Sequence, residues 1–192
     1  MDLILASTSP YRRELLQRLD VPFQCISPNV DEAALPGEQP QELARRLALK
    51  KAQAVSPQYP GSLVIGSDQV AALDGRLLGK PGTHGAAREQ LRNCSGREVL
   101  FFTGVALVCA RSRLVSTHVE PFKVRFRNLQ EAQIENYLRR EEPYDCAGSF
   151  KCEGLGIVLF EQLSGNDPTS LQGLPLIALT TMLKNSGNIS II

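Results

Sequence analysis

Leu3-Ile4-Leu5-Ala6-Ser7-Thr8-Ser9-Pro10-Tyr11-Arg12-Arg13 joins a short apolar run to the start of a helix. The first four residues read as a buried strand. Ser9 supplies an N-cap oxygen, and Pro10 suits the first helical position, where no N–H is needed. Leu15, Leu16 and Leu19 then place an apolar face at helical spacing. Arg12 and Arg13 break a local rule, because the positive pole of the helix dipole opposes cations there by about 0.3–1 kcal/mol each. Free N–H groups, three hydroxyls and two guanidiniums together form a receptor for a polyanion.

Outward from this junction, Phe23–Ile26 reads as a second strand and Gln41–Val55 as a helix behind the Pro36–Pro40 loop. Leu63–Gly66 reads as a short buried strand ending at Ser67-Asp68-Gln69. Val70–Leu73 and Arg76–Leu78 flank Asp74-Gly75, a two-residue hairpin signal. Thr83 caps a helix to Asn93. Glu98–Val108 and Leu114–Phe126 read as longer strands, and Gln130–Arg140 as an amphipathic helix. Tyr144–Gly156 is irregular, Val158–Phe160 reads as a strand, and Leu174–Lys184 as the last helix, stopped by Gly187. The pattern predicts one α/β domain over residues 1–192, a mixed sheet flanked by helices.

The 192 residues are 43% hydrophobic and 21% charged, with a formal net charge of +1. Such a balance gives no global field toward nucleic acid or an anionic membrane, so phosphate binding must come from local placement. No apolar run reaches the roughly 18 residues of a membrane span, and Leu3–Ala6 is too short for a signal core. Five cysteines without C-x-x-C spacing read as free thiols in a reducing cytoplasm. His84 and His118, far apart, give no zinc pattern and no basis for a histidine-centred triad.

Four further residues carry chemistry. Asp68 and Glu32 each follow a β-type segment, where open α/β sheets place functional groups. Two carboxylates without histidine suit an oxygen-only Mg²⁺ or Mn²⁺ site completed by water and phosphate. Lys51 stands toward the end of the second helix. Lys80, in Gly79-Lys80-Pro81, follows the hairpin but belongs to no Walker A loop. Cations for a triphosphate, carboxylates for a metal and a carboxylate to orient water predict metal-assisted phosphoanhydride hydrolysis.

Alongside these residues, the sequence resembles the Maf family of nucleoside triphosphate pyrophosphatases from Leu3 to about Leu183. The ordered motifs are Ser7–Arg13, Asp31-Glu32, Lys50-Lys51-Ala52, Gly66-Ser67-Asp68-Gln69-Val70, Gly79-Lys80-Pro81, Ser95-Gly96, Thr103-Gly104-Val105, Ala147-Gly148-Ser149-Phe150 and Gly173-Leu174-Pro175. The resemblance implies an elongated α/β fold with a cleft, a divalent metal cofactor, a cytoplasmic setting and often a homodimer. It implies cleavage between the α- and β-phosphates, with Asp68 as the carboxylate that takes the water proton and Glu32 as its metal-binding companion. Ser7, Arg12, Arg13, Lys51 and Lys80 correspond to the phosphate cradle, and Ser9 is a further substrate-binding candidate.

Gln69, Glu153 and an aromatic at position 11 resemble the 7-methyl-GTP branch rather than the dTTP/UTP branch, which usually has Thr, Gln and Arg there. Tyr11 departs from the Trp more typical of the methyl-GTP branch. N7-methylation leaves a delocalised positive charge on guanine, which an aromatic face attracts by about 0.5–2 kcal/mol. A carboxylate at Glu153 accepts from both N1–H and N2–H of guanine. The competing expectations are the same chemistry on dTTP, UTP or another modified nucleotide, and a nucleotide-binding regulator of cell division without turnover.

Overall fold

The opening junction folds as its sequence requires: β1 (Leu3–Leu5) leads through a tight loop into α1 (Pro10–Gln17). Ser9 Oγ accepts the Arg12 backbone N–H at 3.4 Å, and Pro10 occupies the first turn. This is seen in a computed structural model that describes residues 2–187. The chain continues through β2 (Phe23–Cys25), α2 (Pro40–Val55), β3 (Leu63–Leu73), β4 (Arg76–Leu78) and α3 (His84–Cys94). It ends with β5 (Glu98–Cys109), β6 (Leu114–Phe126), α4 (Glu131–Glu141), β7 (Phe160–Gly165) and α5 (Leu176–Asn185).

Seven strands form one mixed sheet in the order β2-β1-β3-β5-β6-β7, with β4 also on β3. β1 runs parallel to β2 and β3, whereas β3, β5, β6 and β7 pair antiparallel in succession. Asp74 and Gly75 both adopt positive φ (48° and 77°), so the β3–β4 connection is the tight hairpin its sequence specifies. Leu15 and Leu16 of α1 pack with Leu179 and Leu183 of α5 over Leu3, Ile65 and Leu107. Leu91 of α3 and Ile134 and Leu138 of α4 close a second core over Phe101, Val124 and Phe126.

Helix α2 meets the sheet almost backbone to backbone. A Cβ on Gly66 would overlap the Ala48 carbonyl oxygen, and one on Gly104 would overlap that of Ala44. Ala48 and Ala52 on the helix complete this small-residue contact. The approach presses Lys51 onto the strands.

Two elements differ from the sequence reading. Strand β3 does not end near Gly66; it runs unbroken from Leu63 to Leu73, because β5 pairs with it from Val64 to Ala72. Ser67-Asp68-Gln69, where the sequence places the end of the strand, continues it, and all three side chains find partners inside the fold. The short strand expected at Val158–Phe160 is a 3₁₀ helix over Leu155–Leu159, and the strand proper starts at Phe160. Among the described residues, no helix is long and apolar enough to cross a membrane.

Candidate active site

Asp68 sits in a gap in the sheet. β1 covers β3 only over Leu63–Ile65, and β4 covers it only over Ala71–Leu73. Between them, residues 66–70 pair with β5 alone, leaving one edge open. The loop after β1 turns away at Ser7, whose Oγ accepts the Ser9 N–H at 3.1 Å. An open cleft of about 840 Å³ fills the gap, within the roughly 300–1,000 Å³ of small-molecule sites.

Lys51 is buried, and its Nζ donates to Asp68 Oδ1 at 2.6 Å and lies 2.9 Å from Glu32 Oε1. Burial pushes the Asp68 carboxyl above its ordinary range, and Lys51 and Arg12 oppose that shift. Arg12 points into the same region; burial lowers its pKa, and the charges of Asp68 and Glu32 resist the change. Its Nε donates to the Gly173 carbonyl at 2.8 Å. Glu32 lies on a loop that α2 holds: Lys50 Nζ donates to the Asp31 carbonyl and Arg46 to the Ala33 carbonyl. Arg46 also grips Glu38 in that loop through two bonds of 2.6 and 2.8 Å.

Two carboxylates thus converge on one cationic point. Among the described residues no group of three or more His, Cys, Asp or Glu is arranged to hold a metal. Glu32 and Asp68 are the oxygen pair that a hard divalent cation takes when water and substrate phosphate complete its shell. The donor chemistry therefore fits such an ion.

At the other end, Tyr11, Cys146, Cys152 and Glu153 line the cleft. The Tyr11 phenol is pushed up to about 12, first by burial, with neighbouring Cys146 and the negative charges of Asp145 and Glu153 adding to the rise. Burial likewise raises both thiols, which stay protonated. Lys80 lines the cleft beside β4 and is exposed. Ser7, Ser9 and Gln69 line it as well, whereas Arg13 lies on the exposed flank of α1, apart from it.

A family model described as Maf-like protein matches residues 2–186. The chain belongs to the Maf family. A relative from Polaromonas sp. (strain JS666), named 7-methyl-GTP pyrophosphatase, is 57% identical over 185 residues, covering 96% of this chain and 84% of that protein. One from Nitrosococcus oceani with the same name is 56% identical, covering 96% and 93%. The Staphylococcus aureus Ham1 protein aligns with a TM-score of 0.55 at 16% identity, over 97% of this chain and 100% of that one. A HAM1 protein from Coxiella burnetii gives 0.55 at 14%, over 96% and 99%. At those identities the likeness is one of fold.

In this Maf protein the sequence reading missed the side chains behind the cleft. The Ser67 hydroxyl, with its one proton, lies between two carbonyl acceptors, Gly173 at 2.9 Å and Gly104 at 2.8 Å. Thr103 Oγ1 and Gln69 Nε2 both donate to the Ser170 carbonyl, at 2.8 Å each. These bonds tie the 170–173 turn to the sheet and seat Arg12. Gln69 therefore spends its amide nitrogen on the turn. The polar triplet Ser67-Asp68-Gln69 within an otherwise apolar strand was the available signal.

Proposed function

We propose that this Maf protein is a nucleoside triphosphate pyrophosphatase that converts 7-methyl-GTP and water to 7-methyl-GMP and pyrophosphate. The observation that carries the reading is the polarity of the cleft. Arg12, Lys51, Asp68 and Glu32 gather at one end, and Tyr11 and Glu153 line the other. The names of the two close relatives point to the same chemistry.

In this mechanism Asp68 takes a proton from a water that attacks the α-phosphorus. The bond from that phosphorus to the bridging oxygen breaks, and pyrophosphate leaves with the electron pair. Burial makes Asp68 a stronger base than an ordinary aspartate, while Lys51 keeps it ionised and aimed. Arg12 and Lys80, with the hydroxyls of Ser7 and Ser9 and the N–H groups of α1, offset the triphosphate charge. A divalent ion, Mg²⁺ or Mn²⁺, held by Glu32 and Asp68 would supply further neutralisation of the phosphate oxygens. Tyr11 offers an aromatic face to the cationic purine, and Glu153 accepts from its N1–H and N2–H. Gln69 acts by fixing the 170–173 turn. The substrate belongs to the soluble nucleotide pool of the cytoplasm.

The test is pyrophosphate release by purified protein with Mg²⁺ across GTP, 7-methyl-GTP, dTTP and UTP. Preferential cleavage of 7-methyl-GTP, lost in Asp68→Asn while nucleotide binding persists, supports the reading. Full activity in Asp68→Asn, or no turnover of any of the four, overturns it.

A further inference from the structure

Two carboxylates line the base end of a cleft whose substrate is a polyanion. Asp145 and Glu153 both face it, and neither has an ion-pair partner among the described residues. Lys151, in the same loop, donates its Nζ to the Glu141 carbonyl at 3.3 Å. For an unmodified nucleotide this arrangement is unfavourable, since a neutral base brings nothing to offset two negative charges. Glu153 has a use as acceptor for guanine's paired N–H donors. That use leaves Asp145 without a role.

The geometry assigns one: Asp145 is a specificity-determining residue that senses the positive charge of an N7-alkylated purine held against Tyr11. The Cys146 thiol donates to Asp145 Oδ1 at 3.4 Å, and both residues line the cleft together with Tyr11. Carboxylate, thiol and aromatic ring thus form one wall. The same wall lets the ring and the carboxylate act on one delocalised cation from adjacent directions, each reinforcing the other. Burial keeps the intervening thiol neutral, so it adds a soft surface for the alkyl group without a further charge.

This inference rests on the pyrophosphatase reading, and its test separates the two. The substrates are 7-methyl-GTP and 7-methyl-7-deaza-GTP, which share size and hydrogen-bonding edge but differ in ring charge. Wild-type protein should favour the charged substrate in kcat/KM by about five- to tenfold, the order expected for charge pairing in a half-open site. Asp145→Asn should bring the two within about twofold while turnover of the neutral analogue holds steady, and Asp145→Glu should restore most of the preference. Glu153→Gln, by contrast, should lower both substrates together. Equal wild-type rates on both analogues overturn the charge-sensing role, as does an undiminished preference in Asp145→Asn; either result leaves pyrophosphatase activity intact. Failure to cleave any nucleotide overturns the parent reading and this one with it.

Discussion

Lys51 Nζ and Asp68 Oδ1 are held 2.6 Å apart by a helix that touches the sheet through two glycines. Both residues are buried, at 5% and 6% exposure, so each charge is largely removed from water and relies on the other. The contact joins a packing decision in α2 to the chemistry on β3.

Lys51→Met should therefore destabilise the fold by about 3 kcal/mol, because it strands a carboxylate in a desolvated site. Lys51→Met combined with Asp68→Asn should recover at least half of that loss. Denaturant unfolding of wild type and the two variants measures it. A single variant as stable as wild type would mean that the pair is hydrated.

Gly66→Ala puts a methyl into the Ala48 carbonyl and the Ala52 amide, 2.7 Å away, both on α2 backbone that cannot yield like a side-chain tip. Overpacking of this kind costs about 1–3 kcal/mol. Activity should fall further than stability accounts for, since the helix that shifts carries Lys51. Gly85→Ala is the control: it lies in α3 with nothing within 4 Å of the new methyl, and should stabilise by about 0.5–1 kcal/mol. Thermal melts and initial rates on the same preparations separate the two effects.

Much of this arrangement was legible in the chain. Ser9 and Pro10 announced the helix start, because capping rules act within one turn, and Arg12 beside them lines the cleft whereas Arg13 does not. Asp74-Gly75 announced its hairpin for the same reason. Asp68 was singled out as a candidate, yet its place in mid-strand was not foreseen, since what continues β3 past Gly66 is pairing with β5, about thirty to forty residues away. The gap that exposes Asp68 depends on where β1 and β4 stop, which no local pattern records. The Gly66 and Gly104 contacts with α2 were hidden likewise, as a glycine in a strand shows only that something comes close.

Arg12 depends on the Gly173 carbonyl, which also accepts Ser67 Oγ at 2.9 Å. Arg12→Lys keeps the charge but loses the fork that bonds this carbonyl and leaves other donors for phosphate. Its kcat/KM should fall by about tenfold or more, roughly 1.4 kcal/mol or above of transition-state binding. Ser67→Ala should give a smaller fall with a stability loss of about 1 kcal/mol. Steady-state kinetics on both variants, with unfolding curves for Ser67→Ala, check the order. Arg12→Lys at wild-type efficiency would mean that the guanidinium is a structural tie alone.

Glu38 gives the loop that carries Glu32 a pH dependence. The hydrogen bonds from Arg46, and then the backbone N–H of Leu35, draw its carboxyl down from the ordinary 4.5 to about 2. A carboxyl depressed in the folded state stabilises it fully above the unfolded pKa, and that stabilisation is lost as protons bind to both states below the folded value. Wild-type protein should thus melt higher than Glu38→Gln at pH 7, and the gap should close as pH falls from about 4.5 toward about 2. Salt should narrow it at every pH, since the loop faces solvent. Thermal unfolding of both proteins across this range gives the comparison, and a gap that stays constant to the acid end would show that Arg46 and Glu38 do not pair in solution.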